Sequence, residues 1–376
     1  MLIGIDASRA TRTQRTGTEA YAYHLLRELI PLAEKRGRQI RLYFESQPPP
    51  DFLPRGSRAE SVIMPWPRLW THIRLGWELR QRPPDLFFTP AHVIPVTYDG
   101  AAAATIHDLG YRYFPEAHTR FQVAYLNWST RHNARRSRRV LADSQATRDD
   151  LARLYGTPLE KITVVYPGVD PDLQPVREET ALAAALDHYA IERPYFLYLG
   201  TLQPRKNLVR LLDAFADSGA PQQLVLAGKP GWLAQPILSH IETLPPAVAS
   251  RVRLTGYVAA EDKAALLSGA TALLFPSLYE GFGFPVLEAQ ACATAVLCAD
   301  NSSLPEVAGD AALLVDARDT AAIAGGIRRL AEDGTLRQEL VTAGLDNVQR
   351  FTWKNAAREA LAALESAADG AKVADT

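Results

Sequence analysis

Three groups of residues in this 376-residue chain have types and spacing that suit chemistry: two glutamates, two adjacent cations and one imidazole. Glu280 and Glu288 enclose the seven residues GFGFPVL. Ahead of them, Ala272 to Phe275 is an apolar run with the length of a buried parallel strand, broken at Pro276 and Ser277 into a turn. Pro285 stands where the first turn of a helix tolerates a missing N–H, and helix-compatible residues continue to the next strand, Ala295 to Ala299. Glu280 therefore reads as a loop residue at a strand's carboxyl end, and Glu288 as a residue just inside a helix. Gly281 and Gly283 let the backbone approach a ligand, while the N–H groups of Gly281, Phe282, Gly283 and Phe284 at a helix start favour a phosphate or a developing negative charge. A carboxylate one or two turns further on can accept two hydrogen bonds from a vicinal diol such as a ribose. The dinucleotide fingerprint is not met, because Val286 stands in place of its third glycine.

The second group is Arg205 and Lys206. Tyr195 to Leu199 reads as a strand, GTLQPRKNLVRLLDAF as its turn and helix, and the two cations fall just ahead of a helix start at Asn207. Fixed cations beside a positive helix end can neutralise a diphosphate together with the backbone N–H groups. The third group is His107, which follows the apolar strand Ala101 to Ile106. In an α/β domain, a titratable side chain at a strand's carboxyl end points into the crevice where ligands bind.

These groups need a scaffold, and the chain is too long for one ordinary core, so two domains of roughly 150–200 residues are expected. The recurring strand, loop and helix units make both of them α/β. The first is read as residues 1–175, ending in the link ITVVYPGVDP, and the second as 176–352. A composition of 47% hydrophobic and 22% charged residues is that of a globular chain, with no apolar run near the ~20 residues of a membrane span. The N-terminus reads as a first strand, Leu2 to Asp6, rather than a leader, and the tail GAKVADT as unstructured. Cys292 and Cys298 lack metal-ligand spacing and read as buried thiols, which fits a reducing cytoplasm.

The stretch from Thr271 to Asp316 resembles the signature of the retaining glycosyltransferases of family four, also called group 1, through Glu280, GFGFP, Glu288 and LPEVAGDAALLVD. TIHDLGYRYFPEAH, GTLQPRKN and ITVVYPGVDP resemble the same family. The resemblance implies the GT-B fold, two Rossmann-like domains facing across a cleft, with a last helix, 353–368, crossing back onto the first domain. It implies an enzyme that moves a sugar from a nucleotide-sugar donor to an acceptor hydroxyl with retention. It places Glu280 and His107 at the donor sugar, and Arg205, Lys206 and the N–H groups of residues 281–284 at the diphosphate, while Asp108 reads as orienting His107 or the loop. It places Glu288 at the ribose, with Tyr257 and Val258 packing on the base. Gly17 falls in the loop where the family's glycines approach donor and acceptor, although Ala20 stands where an arginine often follows. Ala293-Thr294-Ala295 departs from the family's Gly, small residue and Pro.

The same resemblance, closest to mannosyltransferase-like members, points to GDP-mannose as donor, with a UDP-sugar second, and to a glycan, lipid-linked or small-molecule acceptor. A nucleotide-sugar epimerase or hydrolase and a non-catalytic binding protein are the competing readings. No cofactor is expected, and no metal: Asp170-Pro171-Asp172 is the one Asp-x-Asp, it lies at the domain link, and Arg205 and Lys206 can supply the charge.

Residues 1–172 hold 24 Lys and Arg against 18 Asp and Glu, leaving 17 against 24 in the remainder. The basic first half shows no nucleic-acid motif, so no nucleic-acid partner is expected. Trp66, Trp70, Ile73 and Trp77 recur at three or four residues among Arg68, Arg74, Arg80 and Arg82, which reads as a basic amphipathic helix. A core-facing tryptophan stripe is the favoured reading, and peripheral contact with the inner membrane face the other.

Overall fold

The computed structural model describes every residue except 13–16, 51, 92 and 370–376, so the tail lies outside the described residues. Contacts divide the chain into two compact units. The first comprises Met1–Leu109, Phe121–Gly168 and the residues from Phe351 onward; the second comprises Gly110–Arg120 and Val169–Arg350.

In the first unit β1 (Leu2–Asp6), β2 (Gln39–Phe44), β3 (Glu60–Ile63), β4 (Leu86–Thr89), β5 (Ala102–Ile106), β6 (Arg139–Ala142) and β7 (Ile162–Val164) form one parallel sheet, ordered β3-β2-β1-β4-β5-β6-β7. Parallel strands are covered on both faces, which is why LFFT and AAATI read as unbroken small and apolar runs and are buried throughout. The helix Gly17–Lys35 buries Tyr21, Leu25, Leu26 and Leu29. Against it packs the last helix, Trp353–Asp369, tied at its end by Glu365, which accepts from Arg36 at 3.0 Å and Arg38 at 2.8 Å.

In the second unit β8 (Tyr195–Leu199), β9 (Gln223–Ala227), β10 (Val252–Gly256), β11 (Ala272–Phe275), β12 (Val296–Ala299) and β13 (Leu313–Val315) form a second parallel sheet, ordered β10-β9-β8-β11-β12-β13. Its core runs through YFLYL, ALLF and VLCA, all buried, and takes in both cysteine thiols. Strand order reverses between β8 and β11, the position where doubly wound sheets open a crevice at the strands' carboxyl ends. The corresponding reversal in the first unit lies between β1 and β4.

Three features differ from the sequence reading. Residues 110–120, assigned there to the first domain, group with the second unit. Tyr113 stacks on Tyr279 with ring centroids 5.0 Å apart, and the Trp232 indole N–H donates to the Ala117 carbonyl. The passage between units at the link falls at Gly168 and Val169 rather than near 175. The favoured core-facing reading of the tryptophan stripe is overturned: Trp70 is buried, its indole N–H donating to the Met64 carbonyl at 2.7 Å, whereas Trp66, Ile73 and Trp77 are exposed. The chain is wound as a wider π turn over Thr71–Leu75 before the short helix Gly76–Gln81, so a three-and-four spacing does not keep these side chains on one inner face.

Candidate active site

In the second unit, the loops after β8 and β11 meet at the point of strand reversal. After β8 a single 3-10 turn, Pro204–Lys206, presents both cations, and Asn207 follows with φ 62° as the cap of the helix Leu208–Ser218. The Asn207 side-chain amide fixes that geometry by donating to the carbonyls of Pro276 at 3.0 Å and Ala317 at 2.6 Å. The backbone of the two loops is joined directly as well, Leu278 N donating to the Arg205 carbonyl at 2.9 Å.

Both cations converge on Glu280. Lys206 Nζ lies 2.5 Å from Oε1, and an Arg205 guanidinium nitrogen lies 3.0 Å from Oε2 while also donating to the Tyr279 carbonyl. Burial alone would push the Glu280 carboxyl up, but the charges of Arg205 and Lys206 outweigh it and hold the group down at about 2. The carboxylate is therefore ionised at every physiological pH. Two fixed cations against one carboxylate leave an excess positive charge, which an arriving diphosphate can use.

The following backbone is held by two serines. Ser302 Oγ accepts from Glu280 N at 2.9 Å, and Ser303 Oγ donates to the carbonyls of Glu280 and Phe282. Gly283 then takes φ 112° and opens the helix Phe284–Ala291, and a Cβ there would meet Leu304 at 2.7 Å. Only glycine suits both the dihedral and the space. Gly281 and Phe282 are buried in this loop, and the Phe282 ring meets that of Phe284 edge on at 5.2 Å.

Glu288 lies on the same helix and is paired with Lys263 at 2.8 Å, a residue the sequence reading did not single out. Burial pulls the Lys263 amine down, and Glu288 with Asp170 more than offsets this, so it titrates above its ordinary value. Asp170 itself closes a turn, accepting from the Asp172 backbone N–H at 3.1 Å. Tyr257 is half exposed after β10 with the Lys229 ammonium 4.6 Å above its ring, whereas Val258 is buried in the core.

In the first unit, His107 follows β5. Its Nδ1 lies 2.6 Å from Asp143 Oδ2, its Nε2 2.9 Å from the Pro90 carbonyl, and the Tyr21 ring meets it edge on at 4.7 Å. Burial would pull the imidazole down, and the Asp143 charge with the Pro90 carbonyl more than compensates, raising it above its ordinary value. Both partners accept only, so the doubly protonated ring satisfies both. Asp143 thus holds the His107 ring by a direct hydrogen bond, and the Asp108 charge also acts on it. The contact with Asp143 follows from register: Ile106 pairs with Ala142 across β5 and β6, which sets the next residues of both strands side by side. Gly17 is the exposed first residue of the helix Gly17–Lys35, and residues 13–16 of the loop before it lie outside the described residues.

Two family models match the chain, "Glycosyltransferase Family 4" over residues 15–173 and "Glycosyl transferases group 1" over residues 189–346. The O-antigen chain mannosyltransferase B of Escherichia coli is 29% identical over 312 residues, covering 82% of this chain and 81% of that protein. Among solved structures, sucrose-phosphate synthase from Thermosynechococcus elongatus superposes with a TM-score of 0.74 at 20% identity, over 95% of this chain and 96% of that one. Anabaena HepE in complex with UDP-glucose does so with a TM-score of 0.74 at 16% identity, over 96% and 99%. At these identities the two structures show the fold.

Proposed function

Because the chain belongs to the group 1, family 4 glycosyltransferases, enzymes built here on two parallel-sheet α/β domains of GT-B type, we propose that it transfers a hexosyl group from a nucleoside diphosphate sugar to an acceptor hydroxyl with retention at the anomeric carbon. The observation that carries this reading is the convergence of Arg205 and Lys206 on Glu280 at the strand reversal of the second sheet, beside the N-terminus opened by Gly283. Positive charge pre-placed in a buried crevice stabilises the diphosphate as it departs, without reorganisation at the moment of reaction. The acceptor oxygen forms its bond to the anomeric carbon on the face from which the diphosphate leaves. The bond from that carbon to the phosphate oxygen breaks, and the acceptor's proton passes to that oxygen. Glu280 lies at the sugar end of the diphosphate, and Glu288, held by Lys263, accepts from the ribose diol. In the sugar-binding role implied for His107, Nε2 exchanges the Pro90 carbonyl for a sugar hydroxyl while Asp143 keeps the ring charged.

The donor we propose is GDP-mannose, and the acceptor a growing glycan. The support is the likeness to the Escherichia coli O-antigen chain mannosyltransferase B, which covers four fifths of both chains. The site needs no divalent cation on this reading, since Arg205 and Lys206 supply the charge. Calorimetric titration with GDP and UDP, followed by incubation with GDP-mannose with and without a mannose-ended glycan in EDTA, tests all of this. Tight binding of GDP and transfer only when acceptor is present are expected. A clear preference for UDP, stoichiometric product from donor alone, or activity lost in EDTA and restored by magnesium would each overturn the corresponding part.

A further inference from the structure

The first unit carries a concentration of exposed apolar side chains that the transfer reaction does not use. Trp66, Leu69, Ile73, Trp77 and Val96 are exposed around the π turn Thr71–Leu75 and the helix Gly76–Gln81, and Phe121, Tyr125 and Trp128 lie along the helix Arg120–Arg136. Leu69 is 67% exposed and Phe121 79%, values that a soluble surface rarely gives to large apolar groups in clusters. The two elements adjoin, because the His72 ring meets the Trp128 ring at 5.9 Å. Leu69 is held outward by its backbone: it takes φ 55°, and its carbonyl accepts from the N–H groups of His72 and Ile73.

Charge selects the occupant. Residues 64–82 contain four arginines, Arg68, Arg74, Arg80 and Arg82, and one acid, Glu78. Arg82 pairs with Glu60 at 2.7 Å, while Arg136, Arg138 and Arg139, at and just after the end of the neighbouring helix, are held by the Tyr98, Ala367 and Glu160 carbonyls. Glu78 is buried and engaged by Arg74 at 3.0 Å and Arg82 at 3.7 Å, so it presents no negative charge to the outside. Arg68, Arg80 and Arg131 are exposed, and Arg74 lies over the Trp77 ring at 5.1 Å. Trp66, Trp77, Arg74 and Arg80 line an open groove of about 600 Å³. Indole rings beside guanidinium groups match the interfacial zone of a bilayer, where aromatic rings sit at headgroup depth and cations meet anionic phosphates.

We propose that this face docks the protein on a lipid bilayer carrying anionic headgroups, with Leu69, Ile73, Trp77 and Phe121 entering the interface and Arg68 and Arg80 meeting the phosphates. Trp66 also lines a second groove with Ser8, Thr11, Arg12 and Glu45, at the carboxyl ends of β1 and β2. The lipid-facing surface therefore leads into the strand-end crevice of this unit, and on the transfer reading of the preceding section that is where an acceptor anchored in the bilayer enters. The docking itself does not depend on that reading, and its test does not measure transfer.

Flotation of the full chain with vesicles of phosphatidylcholine alone, and of phosphatidylcholine with phosphatidylglycerol, supplies the test. The wild type is expected to float with the anionic vesicles and not the neutral ones, with its tryptophan emission shifted to the blue. Arg68→Gln with Arg80→Gln should weaken partitioning about fivefold per arginine, and Leu69→Ser with Trp77→Ser by at least about tenfold. Leu345→Ser, an exposed apolar position of the second unit, should leave it unchanged. The arginine pair removes no packed apolar atoms, so it decides the matter even if the apolar variant folds poorly. Vesicle binding untouched by both paired variants, equal binding to neutral vesicles, or no binding at all overturns the proposal. So does a wild-type dimer that the Leu69→Ser, Trp77→Ser variant dissociates, which would give the face to a second copy. Tryptophan quenching by a soluble mannan in the absence of vesicle binding would give it to a glycan instead.

Discussion

Lys206 Nζ stands 2.5 Å from Glu280 Oε1, and Arg205 stands 3.0 Å from the other oxygen of the same carboxylate, so one buried acid holds two cations in place. The chain separation of Lys206 and Glu280 is 74 residues, and the contact exists because β8 and β11 are neighbours at the strand reversal. Lys206→Ala leaves Glu280 a single cationic partner and removes one of the charges facing the diphosphate. Transfer should then fall by roughly 10²- to 10³-fold in kcat/KM, the range for loss of one electrostatic donor to a developing anion. Steady-state rates with a matched melting temperature are the check, and unchanged rates would remove Lys206 from the site.

The same carboxylate makes an acid-stability prediction. Glu280 titrates at about 2 in the folded protein, against an ordinary value of 4.5. A depressed carboxyl contributes stability that is complete above its unfolded value and is lost as pH falls toward its folded value. Relative to Glu280→Gln, the wild type should be more stable by roughly 3 kcal/mol at neutral pH. That advantage should shrink steadily between pH 4.5 and 2, as measured from denaturant midpoints at several pH values. A gap that does not change with pH would mean that the Glu280 charge contributes nothing.

His107 behaves in the opposite sense. Its titration is raised by Asp143, so the pair contributes stability that is complete below the ordinary imidazole value of 6.5 and is lost as pH rises through the higher folded value. Asp143→Asn keeps an acceptor near Nδ1 but removes the charge, and should bring the His107 titration down. Long-range nitrogen NMR of the imidazole reads this directly. The doubly protonated ring should persist to higher pH in the wild type than in the variant, and a wild-type ring already neutral at pH 6 would contradict the assignment.

The strands β8, β11 and β12 were legible because a strand covered on both faces must be apolar along its whole length, and YFLYL, ALLF and VLCA are. The edge strand β3 was not, since ESVI is largely exposed and carries no alternation strong enough to register. Glu280, Arg205 and Lys206 could be found because each lies within a few residues of a strand end. Asp143 and Lys263 were not singled out: their partners, His107 and Glu288, lie 36 and 25 residues away, and only strand register or helix packing joins them. The tryptophan stripe misled for a related reason. Its spacing was that of a helix, but the chain around it changes from loop to π turn to α-helix, so periodicity did not translate into a buried face.

A last prediction concerns the turn that carries Glu288's helix into β12, where Ala293 stands in place of the glycine usual in the family. The helix Phe284–Ala291 ends in a paired closure, Ala293 N donating to the Gln290 carbonyl at 3.1 Å and Thr294 N to the Ala289 carbonyl at 2.9 Å. That closure requires a left-handed residue, and Ala293 takes φ 58°. A left-handed alanine costs about 1–2 kcal/mol, whereas glycine accepts the same dihedral and loses about 0.4–1 kcal/mol through its freer unfolded chain. Ala293→Gly should therefore stabilise the protein by about 0.5–1 kcal/mol. At the other end of the helix the sign reverses, because Gly283 has φ 112° and an added Cβ meets Leu304 at 2.7 Å. Gly283→Ala should destabilise by more than about 1 kcal/mol. Thermal or urea unfolding of the two variants side by side gives both signs, and an Ala293→Gly variant that melts below the wild type would show that the turn's conformation is not limiting.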